Sequence, residues 1–495
     1  MAILSVFLIY CDLFKFPLSL MSYNWFIRYK TEEVIMKKFI CIILSALLMI
    51  SVISGCSIST GSSSGTQEQG SHEGSGGPGN PPEGHGGPGG SSGGDIDYKG
   101  AVEITEKSEL TDETVSSSDS DESAILISSS DEVSIENIKV EKSGDSDGGD
   151  DCNFYGLNAG ILVKGGSVTT ISGSTITTDA EGANGVFSYG GNGGKNGGAG
   201  DGTTVIIKDS TITTTGNGSG GIMTTGGGIT YAYDLTVTTS GRSSAAIRTD
   251  RGGGQVYVDG GTYTSNGLGS PAIYSTAEIH VANATLVSNL SEGVCIEGLN
   301  SIELTDCDLT ASNTKCNGNA TFLDTIMIYQ SMSGDADSGT SSFTMTGGSL
   351  TSKSGHVFHV TNTSAVITLK GVSIINEDSD NVLISVCDDG WSGGQNTATL
   401  IAGSQELKGA VLVGDDSTLN LELTEGSTFE GYVSGEIVNA KGETVSTEAG
   451  TVKITLDSTS TWILTGDSYI TEFEGDTSNI ITNGFTVYVN GKAIV

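Results

Sequence analysis

Ile207-Lys208-Asp209-Ser210-Thr211-Ile212-Thr213, with Ile222 ten residues beyond Ile212, sets a spacing that the rest of the chain repeats. An apolar residue is followed five positions later by another, usually with Thr, Ser or Asp just before the second. The same pair occurs as Ile135/Val140, Ile171/Ile176, Ala232/Val237, Val258/Tyr263, Val281/Leu286, Leu304/Leu309, Met345/Leu350 and Leu369/Ile374. In seven of the nine pairs a third apolar residue follows ten positions after the second: Val186, Ile222, Ile247, Ile273, Ile296, Val360 and Ile384. Undisturbed, the repeat is 23 to 26 residues. That is the length of one three-sided coil of a parallel β-helix, in which each coil must stack on the next to bury its inward residues. Leucine-rich repeats share the period but need a leucine and asparagine pattern that is missing, and propeller blades are longer. The expected fold is an all-β, right-handed parallel β-helix (solenoid). At about 4.8 Å per stacked strand, nine coils make a rod of about 43 Å.

Composition agrees with many short strands and tight turns. Of 495 residues 73 are Gly, aromatics are 6%, and Lys plus Arg number 22 against 59 Asp plus Glu. The net charge of −37 repels phosphate backbones and anionic head groups. Nucleic acid is therefore not expected as a partner, whereas divalent cations are compatible.

The N-terminal region carries its own message. From Met36 the chain reads Lys37, Lys38, an apolar run from Phe39 to Ile53, then Ser54, Gly55 and Cys56. A charged start, a short apolar run and a small-residue exit are the parts of a signal peptide, and the run is too short for an ordinary spanning helix. Ile53-Ser54-Gly55-Cys56 resembles a bacterial lipobox, which implies cleavage before Cys56 and a diacylglycerol on its sulfur; an uncleaved anchor helix is the alternative. Residues 1–35 read as a leader upstream of the true start, and 36–55 as the signal peptide. Residues 56–95, mostly Gly, Ser and Pro after Cys56 and with almost no apolar content, cannot bury enough surface to fold and read as a tether. Gly84-His85-Gly86 echoes a motif of β-helical pectin hydrolases but has no scaffold there. Residues 96–398 are assigned to the β-helix. Residues 399–495 keep the alternation, as in Leu419-Asn420-Leu421-Glu422-Leu423, and are assigned to irregular coils and a cap.

The apolar ladder, the turns Asp209-Ser210-Thr211-Ile212-Thr213 and Gly260-Gly261-Thr262-Tyr263-Thr264, and the run Asp457-Ser458-Thr459-Ser460-Thr461-Trp462 resemble bacterial right-handed β-helix surface proteins, the pectate-lyase-like and adhesin-like group. The resemblance covers about residues 130 to 495. It implies a lipid-anchored protein on the extracellular face of a bacterial membrane, but the group includes lyases, hydrolases, glycan binders and adhesins, so fold does not settle activity.

Catalysis in such folds needs acid and base groups within about 3 Å of the reacting proton. His280, His356 and His359 have no paired Asp beside them in sequence. The basic cluster Arg242, Arg248 and Arg251 contains Asp250; a lyase would use Arg248 as base and Asp250 as a Ca²⁺ ligand, while an outward ion pair is the plainer reading. Extra residues fall at 143–155, 189–202 and 310–340. The first and third lie six coils apart, about 29 Å, which argues against one cleft built from all three. Asp145-x-Asp147 and Asp335-x-Asp337 have the alternate spacing of oxygen-ligand Ca²⁺ sites, though no distal Glu follows.

The outward neighbours of the third apolar position form a stripe, Phe187, Met223, Arg248, Tyr274 and Glu297, beside the small residues Gly185, Gly221, Ala246, Ala272 and Cys295. Aromatic rings for sugar CH groups, with Arg248, Asp250 and Glu297 for hydroxyls or uronates, would suit a glycan; an ordinary outer face is the alternative. Thr175/Thr177, Thr211/Thr213, Thr236/Thr238 and Thr262/Thr264 form a second outward ladder, of the kind seen on ice-binding β-helices but also favoured by strand propensity alone. Past the leader and anchor, Cys152, Cys295, Cys307, Cys316 and Cys387 remain, and Cys307 with Cys316 is spaced to close a local loop. The function expected is a monomeric, non-catalytic surface lipoprotein that binds an extracellular glycan or a host or neighbouring cell, with the membrane contacted through the lipid only. A polysaccharide lyase or glycoside hydrolase for acidic polysaccharide is the alternative.

Overall fold

A computed structural model describes residues 96–146, 149–192, 199–391 and 395–495. Cys56, its signal peptide and tether, Asp147 and part of the Gly-rich insertion at 189–202 lie outside the described residues.

Each coil lays one strand on each of three faces, and every face is a parallel sheet. Among the described residues, face one has 13 strands (from Lys99–Ile104 to Val433–Ser434), face two has 14 (from Ser108–Thr111 to Glu472–Glu474) and face three has 10 (from Thr114–Ser117 to Ser373–Asn376). Successive strands of one face come from successive coils, so the chain winds as a right-handed parallel β-helix. The five-then-ten spacing is explained by burial. Ile207, Ile212 and Ile222 point inward from faces two, three and one, and each stacks on its equivalent in the next coil: Ala232, Val237 and Ile247. Each buried Val, Leu or Ile contributes about 2 kcal/mol, summed along one continuous core.

The polar residues of the repeat build the corners. Between faces two and three each coil turns through one or two residues of left-handed φ: Asp209 (49°), Asp234 (50°), Asn283 (55°), Asp306 (51°), or a glycine pair such as Gly260 and Gly261. Asn, Asp and Gly tolerate that conformation, which is why one of them stands three residues before the second apolar position, as Asp209 does before Ile212. At the corner between faces three and one, Thr178 Oγ1 donates to the Ala183 carbonyl at 2.7 Å, closing the bend with a buried hydroxyl. Here Gly216, Gly241 and Gly267 stack so tightly that a Cβ on Gly241 would lie 1.8 Å from the Gly216 carbonyl oxygen.

Past residue 399 face two continues, and face three is replaced by a four-stranded sheet, Glu406–Lys408, Thr428–Gly431, Thr461–Leu464 and Ile480–Ile481. Larger side chains fill the interior at this end: Phe429 and Trp462 stack at 5.8 Å, and Trp462 Nε1 donates to the Gly431 carbonyl at 3.2 Å. The cysteine expectation is corrected here. The five described cysteines form no disulfide with one another; Cys307 lies inside the coil, where its thiol donates to the Val281 carbonyl, and does not bond Cys316.

Candidate functional site: a window between two covering loops

The outward column of face one runs Leu126, Leu162, Phe187, Met223, Arg248, Tyr274, Cys295, Met327, His359, Ser385 and Leu412 in direct strand register. The stripe therefore begins as expected but departs at its end. Tyr274 pairs with Cys295, and Glu297 pairs with Tyr329, one column across. Val294 and Ile296 both point inward, and the shorter connection from Leu286 puts Val294 beside Ile273.

Exposure is the larger correction. Phe187 and Met223 are fully buried, because the first insertion folds over them. Its short helix Asp150–Phe154 is followed by Tyr155 and Leu157, and Thr225 Oγ1 pins it by donating to the Phe154 carbonyl at 2.7 Å. Leu126, Ala159, Leu162, Phe187 and Met223 thus form a second apolar cluster outside the coil. Farther along, Cys295, Met327 and Tyr329 are covered with help from Trp391. In the column from Leu126 to Leu412, Arg248 and Tyr274 are the two residues that reach solvent.

The window they form is dense with charge. Arg248 donates to Asp250 Oδ2 at 2.8 Å, to Asn153 Oδ1 at 3.1 Å and to the Ser243 carbonyl at 3.0 Å. Arg251 donates to Asp335 Oδ1 at 2.7 Å, and its guanidinium lies 4.1 Å from the Phe154 ring centre. Asn153 and Phe154 belong to the first insertion and Asp335 to the third. The two insertions, expected to stay apart, are joined through Arg251, since each loop reaches several coils along the face. Buried Glu297 accepts from Tyr274 Oη at 2.6 Å, from Tyr329 Oη at 3.3 Å and from the Ser331 hydroxyl. Burial pushes the Asp250 carboxyl up to about 6, with Arg248 pulling it back and Asp335 adding to the rise. Burial also raises Glu297, against the hydrogen bonds it accepts.

This chemistry is that of a clamp. Arg248 spends both protons of Nη1 and one of Nη2 on three acceptors, which makes it a group that positions its neighbours. The proposed calcium ligands are likewise engaged: Asp145 Oδ1 accepts from the Glu181 N–H at 2.9 Å and Asp335 holds Arg251. Asp337 contributes its backbone carbonyl to the Leu299 N–H. Among the described residues no group of three or more His, Cys, Asp or Glu side chains is placed to hold a metal ion.

Two constellations escape a reading by linear spacing. Ser385 Oγ lies 2.8 Å from His359 Nδ1 and 2.7 Å from His356 Nδ1, while His359 Nε2 lies 3.4 Å from Asp389 Oδ2. The order hydroxyl, imidazole, carboxylate is that of an activated nucleophile, but Ser385 and His359 are fully buried and the Phe322 ring stacks on His359 at 4.6 Å. With Asp389 Oδ1 accepting from Thr321 and Gly390, the group ties down the covering loop.

The second lies in the open. On the outer side of face two, Tyr231, Tyr257 and His280 stack, with ring centres 5.1 Å apart at both steps and interplanar angles of 13° and 8°. All three are partly exposed, as are Ile206 one coil earlier and Val168 and Tyr233 nearby. His280 is held between Glu278 Oε1 at 2.7 Å and Glu303 Oε2 at 3.0 Å. The sequence does carry a signal: each of the three stands three residues before a left-handed corner, Asp234, Gly260 or Asn283.

The described part of the chain is thus a right-handed parallel β-helix with one roofed face and two open ones. No family model and no curated protein matches the sequence. Among solved structures, a chain of "The cryo-EM structure of the Vag8-C1 inhibitor complex" aligns with 77% of this chain and 99% of its own length, at 15% identity and a TM-score of 0.39. The fold assignment rests on the strand pairing described above.

Proposed function

We propose that this chain is a non-catalytic glycan-binding protein displayed outside a bacterial cell, tethered through a lipid on Cys56, and that face two is its binding face. The stack of Tyr231, Tyr257 and His280 carries the reading. The rings stand near-parallel with centres 5.1 Å apart and all three are partly exposed, so they form an aromatic strip open to solvent. Such surfaces pack against sugar CH groups, and Gln255, Glu278 and Glu303 beside them offer hydroxyl partners. The acidity of the chain favours neutral over uronate-bearing glycans. Arg248 and Tyr274 enter this reading as residues that hold the roof of face one in place.

A glycan array probed with the wild-type chain and with Tyr257→Ala tests it. Binding by the wild type that falls at least about tenfold in the variant is expected, the loss of one well-used aromatic contact; equal binding by both removes face two as the site. Cys56→Ala, with labelled palmitate and membrane fractionation, tests the anchor separately, and label retained by the variant would discard it.

A further inference from the structure

A second aromatic site stands at the C-terminal end of the helix, on a different surface from face two. There a cleft of about 640 Å³ opens between two walls. One wall is the end of face one, from Tyr432 to Glu436, together with residues 447–450. The other is the small sheet in which Ser468–Ile470 pairs with Val487–Val489. Direct register places Tyr469 opposite Tyr488, and their rings stack at 5.3 Å and 9°. Tyr469 is 48% exposed.

Tyr432 enters from the preceding coil, and its ring rests on the backbone of Gly466, where a Cβ would come within 3.1 Å of it. At Gly435 a Cβ would fall 1.9 Å from the Glu448 backbone. Absent side chains at these two glycines let the ring lie flat and the wall close. Three carboxylate residues, Glu436, Glu448 and Asp467, complete the lining, and no Lys or Arg contributes to it. Asp467 is fixed by the Thr486 N–H, which it accepts at 2.9 Å through Oδ1.

Three tyrosines and three carboxylates without a counter-charge form a receptor for a cation that also has apolar faces. Ammonium groups are attracted to aromatic faces and to carboxylates alike, and the volume lies within the range of small-molecule sites. A ring carrying hydroxyls and one amine meets all of these features. We infer that this cleft binds an amino sugar, recognised through its free ammonium group and through packing of its ring on Tyr469 and Tyr432.

Calorimetry on the full chain at about pH 6 with a glucosamine trimer, its N-acetylated counterpart, a galacturonate trimer and choline tests this. The glucosamine trimer is expected to bind. Tyr469→Ala and Glu436→Gln, both exposed positions whose variants should melt with the wild type, are each expected to weaken it about tenfold, and N-acetylation by at least as much. Tyr257→Ala is expected to leave this binding unchanged, which separates the cleft from face two. Equal binding of the N-acetylated trimer, equal binding of choline, or insensitivity to Tyr469→Ala would each overturn the inference.

Discussion

Arg251 and Asp335 form an ion pair of 2.7 Å between groups 84 residues apart, and the same guanidinium covers the ring of Phe154. One side chain on a coil thus fastens two loops that leave the helix at distant points. Replacing Arg251 with Ala should cost about 1–3 kcal/mol, through the stranded carboxylate and the lost ring contact. Hydrogen exchange should quicken in residues 150–157 and 331–339 together. Faster exchange in only one of the two segments would show that they are held independently.

Buried carboxylates set the pH dependence of stability. Burial raises Asp250, Glu292, Glu297 and Asp324 above the ordinary carboxylate range, Asp250 to about 6. An acid with a raised folded-state pKa binds more protons folded than unfolded, so stability falls as pH rises from the unfolded value of about 4 to the folded value. For Asp250 alone the difference is on the order of 3 kcal/mol. Asp389, lowered by its imidazole and hydroxyl partners despite burial, acts in the opposite sense as pH falls. So does His356, which burial pushes down to about 3, so that stability is lost below about pH 6.5; the four raised acids outnumber these two. Thermal melts should therefore show a higher Tm near pH 5 than at pH 7.5. Asp324→Asn, at a side chain whose Oδ1 has no hydrogen-bond partner, should raise Tm at pH 7.5 and shrink the difference. A Tm that climbs between pH 5 and 7.5 would contradict this account.

Tyr263 occupies an inward position that Val237 and Leu286 fill in the adjacent coils, and its buried hydroxyl has no partner. Tyr263→Phe keeps the ring and removes an unpaid desolvation, so it should stabilise the chain by about 1 kcal/mol. Chemical denaturation resolves that change, and a loss of stability would mean that the hydroxyl is bonded.

Gly241 presents the reverse case. Its φ is unremarkable, yet a Cβ there meets the Gly216 carbonyl oxygen. Gly241→Ala must push two coils apart at one corner and should cost about 1–3 kcal/mol. The equivalent substitution at Gly371, where a Cβ has open space but φ is 63°, should cost no more than about 1–2 kcal/mol. Denaturation of the pair checks whether coil spacing or backbone conformation dominates, and a larger loss at Gly371 would favour conformation.

Ile207, Ile212 and Ile222 made the coil legible because inward positions repeat with the chain, whatever the loops do. Glu297 shows where that logic stops. Each strand of face one has two inward residues, and alternation cannot distinguish Val294 from Ile296 when the connection shortens. The roof over Phe187 and Met223 has a signal in the neighbouring strands: Ala124-Ile125-Leu126-Ile127 and Ile161-Leu162-Val163 are apolar on both sides of the strand, as strands covered on both faces are. The meeting of Arg251 with Asp335 had none, since nothing in a linear repeat states how far a long insertion reaches along the rod. The stack of Tyr231, Tyr257 and His280 becomes visible once the left-handed corners are used as the zero of each coil.

The hydrogen bonds between coils of the three faces run along the axis of the helix, not across it. A pull applied along that axis would meet the rungs one coil at a time, in the manner of a zip and not of a shear plane. Extension would therefore proceed in steps of a single repeat, each paid out at modest force. Side chains that span several coils, among them the Arg251 clamp and the bonds from Thr321 to Asp389, would act as stops that interrupt the run.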